Sequence, residues 1–203
     1  MAKLDYKKIL KPLYKPGNDP ERVEVPNLNY LMIDGKGNPN TSPIYSETVS
    51  ALYKFAYAIR FFMRDEEGVD FGVMPLEGLW WVEDMNLFSQ ESKEDWLWTM
   101  MILQPEPVTP EIVETVRPLV FAKHKLPQLE EIRFETYSEG RSAQVMHHGP
   151  YAAEKPTIDR LHAFIREHNC QPHLKHHEIY LNDPQRTAPE KLLTIIRQPV
   201  IEM

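Results

Sequence analysis

The chain of 203 residues contains a single cysteine, Cys170, so an intrachain disulfide is excluded and a reducing compartment is expected. No stretch approaches the roughly 18 apolar residues that a membrane span needs. The opening segment MAKLDYKKILKPLYKP has no uninterrupted apolar run of the kind a secretory signal carries. A cytoplasmic protein without a membrane partner follows as the expectation. A Lys/Arg-rich stripe is missing as well: 23 basic residues face 30 acidic ones, for a formal charge of −7, which disfavours a nucleic-acid partner.

Several chemical motifs are also absent. Gly35 and Gly37 are not followed by Gly-Lys-Ser/Thr, so they read as a turn rather than a phosphate loop. There is no Gly-x-Ser-x-Gly elbow for a serine nucleophile, and Cys170 has no clear partner. His147, His148, His173, His176 and His177 are numerous, but their spacing matches no zinc motif, and no metal or other cofactor is expected.

What is present is a regular α+β pattern. Residues 1–24 read as an N-terminal arm broken by Pro12, Pro16, Gly17 and Pro20, ahead of one domain over residues 25–203. A strand and Gly-rich turn (Val25 to Pro39) lead to Ser42-Pro43, an N-cap with proline at the first helical position. Val49, Leu52, Phe55, Ala56, Ile59, Phe62 and Met63 then recur at helical spacing, predicting a helix from Pro43 to Arg64. FGVMPLEGLWWV and DWLWTMMILQP read as strands. The second is apolar on both faces and so should be covered on both. Thr109-Pro110 opens a second helix to about Lys125, disturbed at Pro118. IRFETYSEG and RSAQVMHHG read as a hairpin around Gly140, followed by a helix from Pro156 to His168 and the strands HHEIYLND and KLLTIIRQPV.

The order of elements repeats: strand, Gly/Pro turn, helix and two strands, in halves of about 25–105 and 130–203. Tandem strand-helix-strand-strand units predict two antiparallel sheets side by side, helices on one side and a central ligand cleft on the other. Glu178 and Tyr180 share one face of their strand; Ile179 and Leu181 share the opposite face, expected to lie under the helices. A carboxylate in a tryptophan-lined cleft would have its pKa raised, and could act as a base or pair with a cationic ligand. Trp80, Trp81, Trp96, Trp98, Tyr137, Tyr151 and Tyr180 all fall in strand or turn segments, where aromatic rings can stack on flat ligands. His147, at a strand end beside Gly149-Pro150-Tyr151, either lines the cleft or bonds backbone.

MHHGPYAAEKPTIDRLHAFI followed by HHEIYLNDPQRTAPEKLLTIIRQPV resembles the GyrI-like small-molecule-binding family, as do PLEGLWW and NYLMIDGKGNP. The resemblance runs from about Val25 and is strongest to stand-alone members. It implies a tandem-repeat fold whose central cleft holds a glutamate on the EIYL strand, the position of Glu178, with Tyr151 and the EGLWW tryptophans lining the pocket. The ligand it implies is a flat, hydrophobic or aromatic small molecule, often cationic. Some stand-alone members open the strained cyclopropane of DNA-alkylating natural products with water, and related domains serve multidrug-responsive regulators. No DNA-binding domain accompanies the match, which leaves a detoxifying hydrolase, a non-catalytic sequestering module or a sensor acting through a partner protein. The expected catalytic pair is Glu178, aiming or deprotonating water, and Tyr137 as the hydrogen-bond donor. Trp80, Trp81, Trp98, Tyr151, Tyr180 and His147 are expected to bind the ligand.

Overall fold

The computed structural model describes residues 3–83 and 93–203. Among those residues the chain forms eleven strands and six α-helices. The lead-in holds β1 (Lys3–Leu4), α1 (Tyr6–Ile9) and α2 (Lys11–Tyr14). Then come β2 (Glu21–Val25), β3 (Leu28–Lys36), α3 (Pro43–Asp65), β4 (Asp70–Phe71), β5 (Leu76–Trp81), β6 (Leu97–Leu103), α4 (Pro110–Lys123) and α5 (Gln128–Glu131). The second half holds β7 (Arg133–Tyr137), β8 (Gly140–His148), α6 (Lys155–Glu167), β9 (Cys170–Pro172), β10 (His176–Tyr180) and β11 (Leu193–Glu202). No helix among the described residues is long and apolar enough to cross a membrane.

The helices form where the apolar spacing places them. On α3, Leu52, Phe55, Ala56, Ile59 and Met63 are all buried, and α4 and α5 pack against this helix. Ser42 occupies the N-cap with Pro43 as first helical residue, although its side chain makes no capping bond. Thr109 does cap α4, accepting from the Ile112 N–H, and the helix continues through Pro118 instead of breaking there.

The duplication is visible in the strand order. Each half is strand, helix, strand, strand (β3-α3-β5-β6 and β8-α6-β10-β11), and in each half the last strand lies between the other two. The two triplets join where β10 pairs antiparallel with β5, giving one sheet ordered β2-β8-β11-β10-β5-β6-β3-β7, with β9 added on β11. The lead strands cross between halves. β2 enters the first half but pairs with β8 of the second; β7 enters the second half but pairs with β3 of the first.

This corrects the hairpin expected around Gly140. β7 and β8 are consecutive, yet they lie toward opposite ends of the sheet and do not pair with each other. From Tyr137 to Gly140 the backbone can span only about 11 Å. The same limit of about 11 Å applies from Val25 to Leu28. The sheet must therefore curl until its two ends approach one another. Gly140, with φ of +69°, starts β8 in a conformation that an L side chain rarely adopts.

Directly opposed residues on antiparallel strands project to one face. Along one such row lie Val145, Ile196, Glu178, Gly78, Met100 and Ile33. Val145 and Ile196 share a core cluster with Leu161 and Ile165 of α6, while Trp98, one row along, contacts Tyr45 of α3. The Glu178 face is thus the helix-covered face, the reverse of the expected orientation. Ile179 faces the interior of the curl, which the lead-in residues Leu13 and Tyr14 help to close.

Candidate functional site

Glu178 sits on β10 at the seam between the halves, opposite Gly78 of β5. Its carboxylate is buried, and two neighbours on its own strand hold it. The His176 ring Nε2 lies 3.1 Å from Oε1, and the Tyr180 hydroxyl donates to Oε2 at 2.8 Å. The i±2 spacing that alternates a strand's faces brings all three groups together. Trp80 Nε1 in turn donates to the Tyr180 hydroxyl at 3.0 Å. The Tyr180 proton is committed to Glu178, so this hydroxyl orients the carboxylate.

The aromatic surroundings come from both halves. Tyr45 of α3 approaches Trp80 at 6.1 Å and Trp98 at 5.3 Å between ring centroids. Tyr151, in the 3₁₀ turn ahead of α6, meets Tyr180 edge-on at 5.4 Å. Gly78 makes room for this arrangement: a Cβ there would lie 2.8 Å from Trp80 Nε1. Gly35 does the same under Trp98, whose ring would stand 1.9 Å from an added Cβ.

A second acid completes the cluster. Glu154 closes the turn before α6, is 2 % exposed, and lies near enough to Glu178 for the two charges to interact. Its Oε1 is buried and has no donor among the described residues. Two neighbouring buried carboxyls cannot both ionise readily. Burial and the neighbouring Glu178 charge push Glu154 up to about 10, so it is the neutral member. Glu178 goes the other way. Burial alone would raise it, but the hydrogen bond and charge of His176, with the Tyr180 bond, outweigh that and hold it below the ordinary carboxylate value. The expectation of a raised Glu178 pKa is corrected accordingly: the strand supplies donors that composition does not reveal. Tyr151 is pushed up to about 12 by burial and the nearby acids, and remains a proton donor at neutral pH.

His147 belongs to the same face, in register with Thr194 and Tyr180. Its Nε2 lies 3.3 Å from the Pro150 carbonyl, an acceptor, so Nε2 carries the proton and Nδ1 accepts from Thr157 at 3.0 Å. Burial lowers its pKa, consistent with a neutral ring. Its role is to anchor the turn that carries Tyr151 and Glu154.

On the opposite face of β10 lies a different cluster. His177 is completely buried, with Nδ1 2.9 Å from Glu139 and Nε2 3.0 Å from Glu77. Both ring nitrogens face carboxylates, so both must donate and the ring is an imidazolium. Burial opposes that charge, but Glu139 and Glu77 overcome it and push His177 up to about 9. Arg197 bonds Glu139 at 3.2 Å, Gln144 at 3.0 and 3.1 Å, and the Leu13 carbonyl at 2.7 Å. Tyr14 donates to Glu77. Two acids and two bases balance, and the network stitches the lead-in, the β7–β8 link and both half-sheets together.

The structure therefore gathers Glu178, Tyr180, Trp80, Tyr151 and His147 on one face, with Trp98 fully buried beneath Tyr45. It does not gather the remaining two. Tyr137 opposes Leu28 at the far edge of the sheet, on the interior face near Glu139 and Arg197, so it cannot serve as the donor beside Glu178. Trp81 points away from Trp80, and the Lys175 ammonium lies 3.3 Å from its ring centroid. Sequence reasoning missed His176 as a partner of Glu178, although the period-2 rule that paired Tyr180 with Glu178 applies equally to it. It also missed Tyr45 and Glu154; the latter lies within HHGPYAAEKP, three residues after Tyr151. Among the described residues no group of three or more His, Cys, Asp or Glu is arranged to hold a metal ion.

A family model, that of the GyrI-like small molecule binding domain, matches residues 18–201. An uncharacterized conserved protein of Listeria innocua is 38% identical, with a TM-score of 0.91 over 98% of this chain and 100% of that one. A hydrolase of the same organism is 37% identical, with a TM-score of 0.89 over the same 98% and 100%. A further Listeria innocua hydrolase structure is 36% identical, with a TM-score of 0.86 and again 98% and 100% coverage. No curated protein sequence matches the chain.

Proposed function

The chain belongs to the GyrI-like small molecule binding domain family, and we propose that it takes flat, hydrophobic or aromatic small molecules at the Glu178 site and hydrolyses electrophilic, cyclopropane-bearing ones as a detoxification enzyme. The observation that carries this reading is a buried carboxylate, held ionised by His176 and Tyr180 at the seam between the halves and walled by Trp80, Tyr45 and Tyr151. The hydrolase identity of the Listeria relatives supports the chemistry.

In the proposed reaction the aromatic rings stack on the conjugated ligand. Tyr151 donates a hydrogen bond to its carbonyl, which gathers negative charge as the ring opens. Glu178 aims a water at the strained carbon and accepts its proton. A carboxylate with a lowered pKa is a modest base, but general-base help of about 10²–10⁴-fold is enough for a substrate already primed by ring strain. The test is mass spectrometry of such a compound incubated with the protein and with Glu178→Gln. A catalytic one-water adduct made only by the wild-type protein is expected. Equal adduct formation by both would remove Glu178 from the reaction.

The lowered Glu178 pKa also favours a second reading, a binding module that pairs this fixed anion with a cationic aromatic ligand and returns it unchanged. Retention of unaltered compound through gel filtration would select it.

A further inference from the structure

We propose that the chain pairs with a second copy of itself through the outer face of α3 and α4, in a two-fold arrangement that sets the two α3 helices antiparallel. The inference does not depend on the chemistry at Glu178.

α3 carries two apolar stripes, and the fold of one chain buries only the first. Leu52, Phe55, Ala56, Ile59 and Met63 are buried. Tyr53, Tyr57 and Phe61 recur every four residues and form a second stripe on the outer side. Their rings follow one another at 6.4 and 6.2 Å between centroids, each pair tilted by 32°. Tyr57 is 44 % exposed and Phe61 43 %, and Leu119 of α4, across from them, is 58 % exposed. These side chains line an open groove of about 510 Å³ between the two helices, with the buried Val116 and Val120 of α4 also in its wall. A surface helix needs one apolar stripe to hold it to its own core. A second one, left in water and rimmed with charge, marks a contact surface.

The charges around the groove say what covers it. Gln128, the first residue of α5, donates to Glu47 near the start of α3 at 2.6 Å, so α4 runs antiparallel to α3. Lys123 and His124, at the end of α4, therefore join Lys54 at one end of the groove. Neither lysine is in an ion pair among the described residues, and Lys54 Nζ donates to the neutral Ser50 hydroxyl at 2.9 Å. Asp65 and Glu66 stand at the other end. Arg64 takes up Asp65 at 2.6 and 2.9 Å, which leaves Glu66 as the acid without an ion pair among the described residues. Along α3 the outer face thus runs cation, ring, ring, acid. A uniformly acidic or basic partner would be repelled at one end. The surface that matches both ends is this one reversed. A second copy laid antiparallel across a two-fold axis near residue 59 sets Tyr57 against Phe61 of the second copy, and Lys54 against its Asp65–Glu66 turn, twice over by symmetry. The face from Ser50 to Glu66 is about 24 Å long and two helices wide, the footprint of the smaller specific interfaces, which bury about 1,200 Å² in total. Tyr45, which walls the Glu178 site, lies about 20 Å farther along the helix, clear of the axis.

Sedimentation velocity over a micromolar concentration series is the test. Expected is a reversible rise from the 23.8 kDa of one chain toward twice that mass. Leu119→Asp and Phe61→Glu put charge on exposed positions of the groove, so the melting curve should hold while the chain stays at the mass of one copy. Lys54→Glu and Glu66→Lys should each weaken self-association by about ten-fold or more, because each sets like charges together at both ends. Mixed in equal amounts, these two variants should associate again, since every end contact then joins a cation to an acid. Misfolded variants would not recover on mixing. A wild-type chain that stays at one copy throughout overturns the proposal, including one whose groove instead takes an apolar dye that Leu119→Asp expels. So does a dimer indifferent to Leu119→Asp, which would use another face. Charge variants that lose the dimer and do not recover on mixing overturn the antiparallel two-fold pairing.

Discussion

His176 and His177 are neighbours in sequence, and each binds a buried carboxylate, but they face opposite sides of β10. On the interior face His177 is enclosed by Glu77 and Glu139, with Arg197 completing a charge-balanced network. On the helix face His176 and Tyr180 hold Glu178 against a second acid, whose Oε1 is left without a donor among the described residues. A buried polar network whose partners are matched specifies structure; one left incomplete awaits a ligand or a water. The contrast teaches that burial and a histidine–glutamate contact do not mark a reactive site.

The comparison can be broken most forcefully on the interior face. Glu139→Ala leaves Arg197 and His177 with uncompensated buried charge, and loss of one partner of such a pair costs about 3–5 kcal/mol. Urea denaturation should show that loss, with turnover per folded molecule unchanged. On the helix face Glu178→Gln should do the converse, lowering turnover by about 10²–10⁴-fold while the denaturation midpoint stays put, because the glutamine carbonyl can still accept from Tyr180.

A pH series sharpens the same division. The His177 pKa of about 9 in the folded protein lies above its ordinary value of 6.5. Its stabilising contribution is therefore complete below about pH 6.5 and is lost as pH rises through about 9. Between those limits unfolding free energy should fall by up to about 1.4 kcal/mol per pH unit, and His177→Gln should flatten that slope. Glu139, held low by His177 and Arg197 against its burial, contributes with the opposite sign: its share is present above the ordinary carboxylate range and lost as pH falls through its lowered pKa. The smallest effect belongs to Tyr180→Phe. It removes two hydrogen bonds, the one donated to Glu178 and the one accepted from Trp80, at about 1 kcal/mol each, and should move the Glu178 pKa upward, visible as a shift in the acidic limb of the pH–rate profile.

Much of this was legible in the sequence, and the failures have physical causes. Alternation alone put Glu178 with Tyr180, and helical spacing found α3 to within a residue of its end, Asp65. Alternation cannot say which face the helices cover when both faces carry apolar residues, and so the Ile179 side was assigned to them wrongly. The two residues between β7 and β8 look like a hairpin turn; only the crossed pairing of the lead strands with the other half shows that they link distant strands. That crossing also carries Tyr137 to the interior face, away from Glu178. Glu154 sits in a turn with no periodicity to read, and its contact with Glu178 exists only once α6 has docked.

The most direct measurement is turnover per folded molecule for His176→Gln and His177→Gln, side by side, on a cyclopropane-bearing conjugated substrate. With the labour divided between the faces as described, His176→Gln loses activity by about an order of magnitude or more and His177→Gln, once corrected for its folded fraction, matches the wild type. Equal losses in both, or a loss confined to His177→Gln, would contradict the assignment of the helix face as the site.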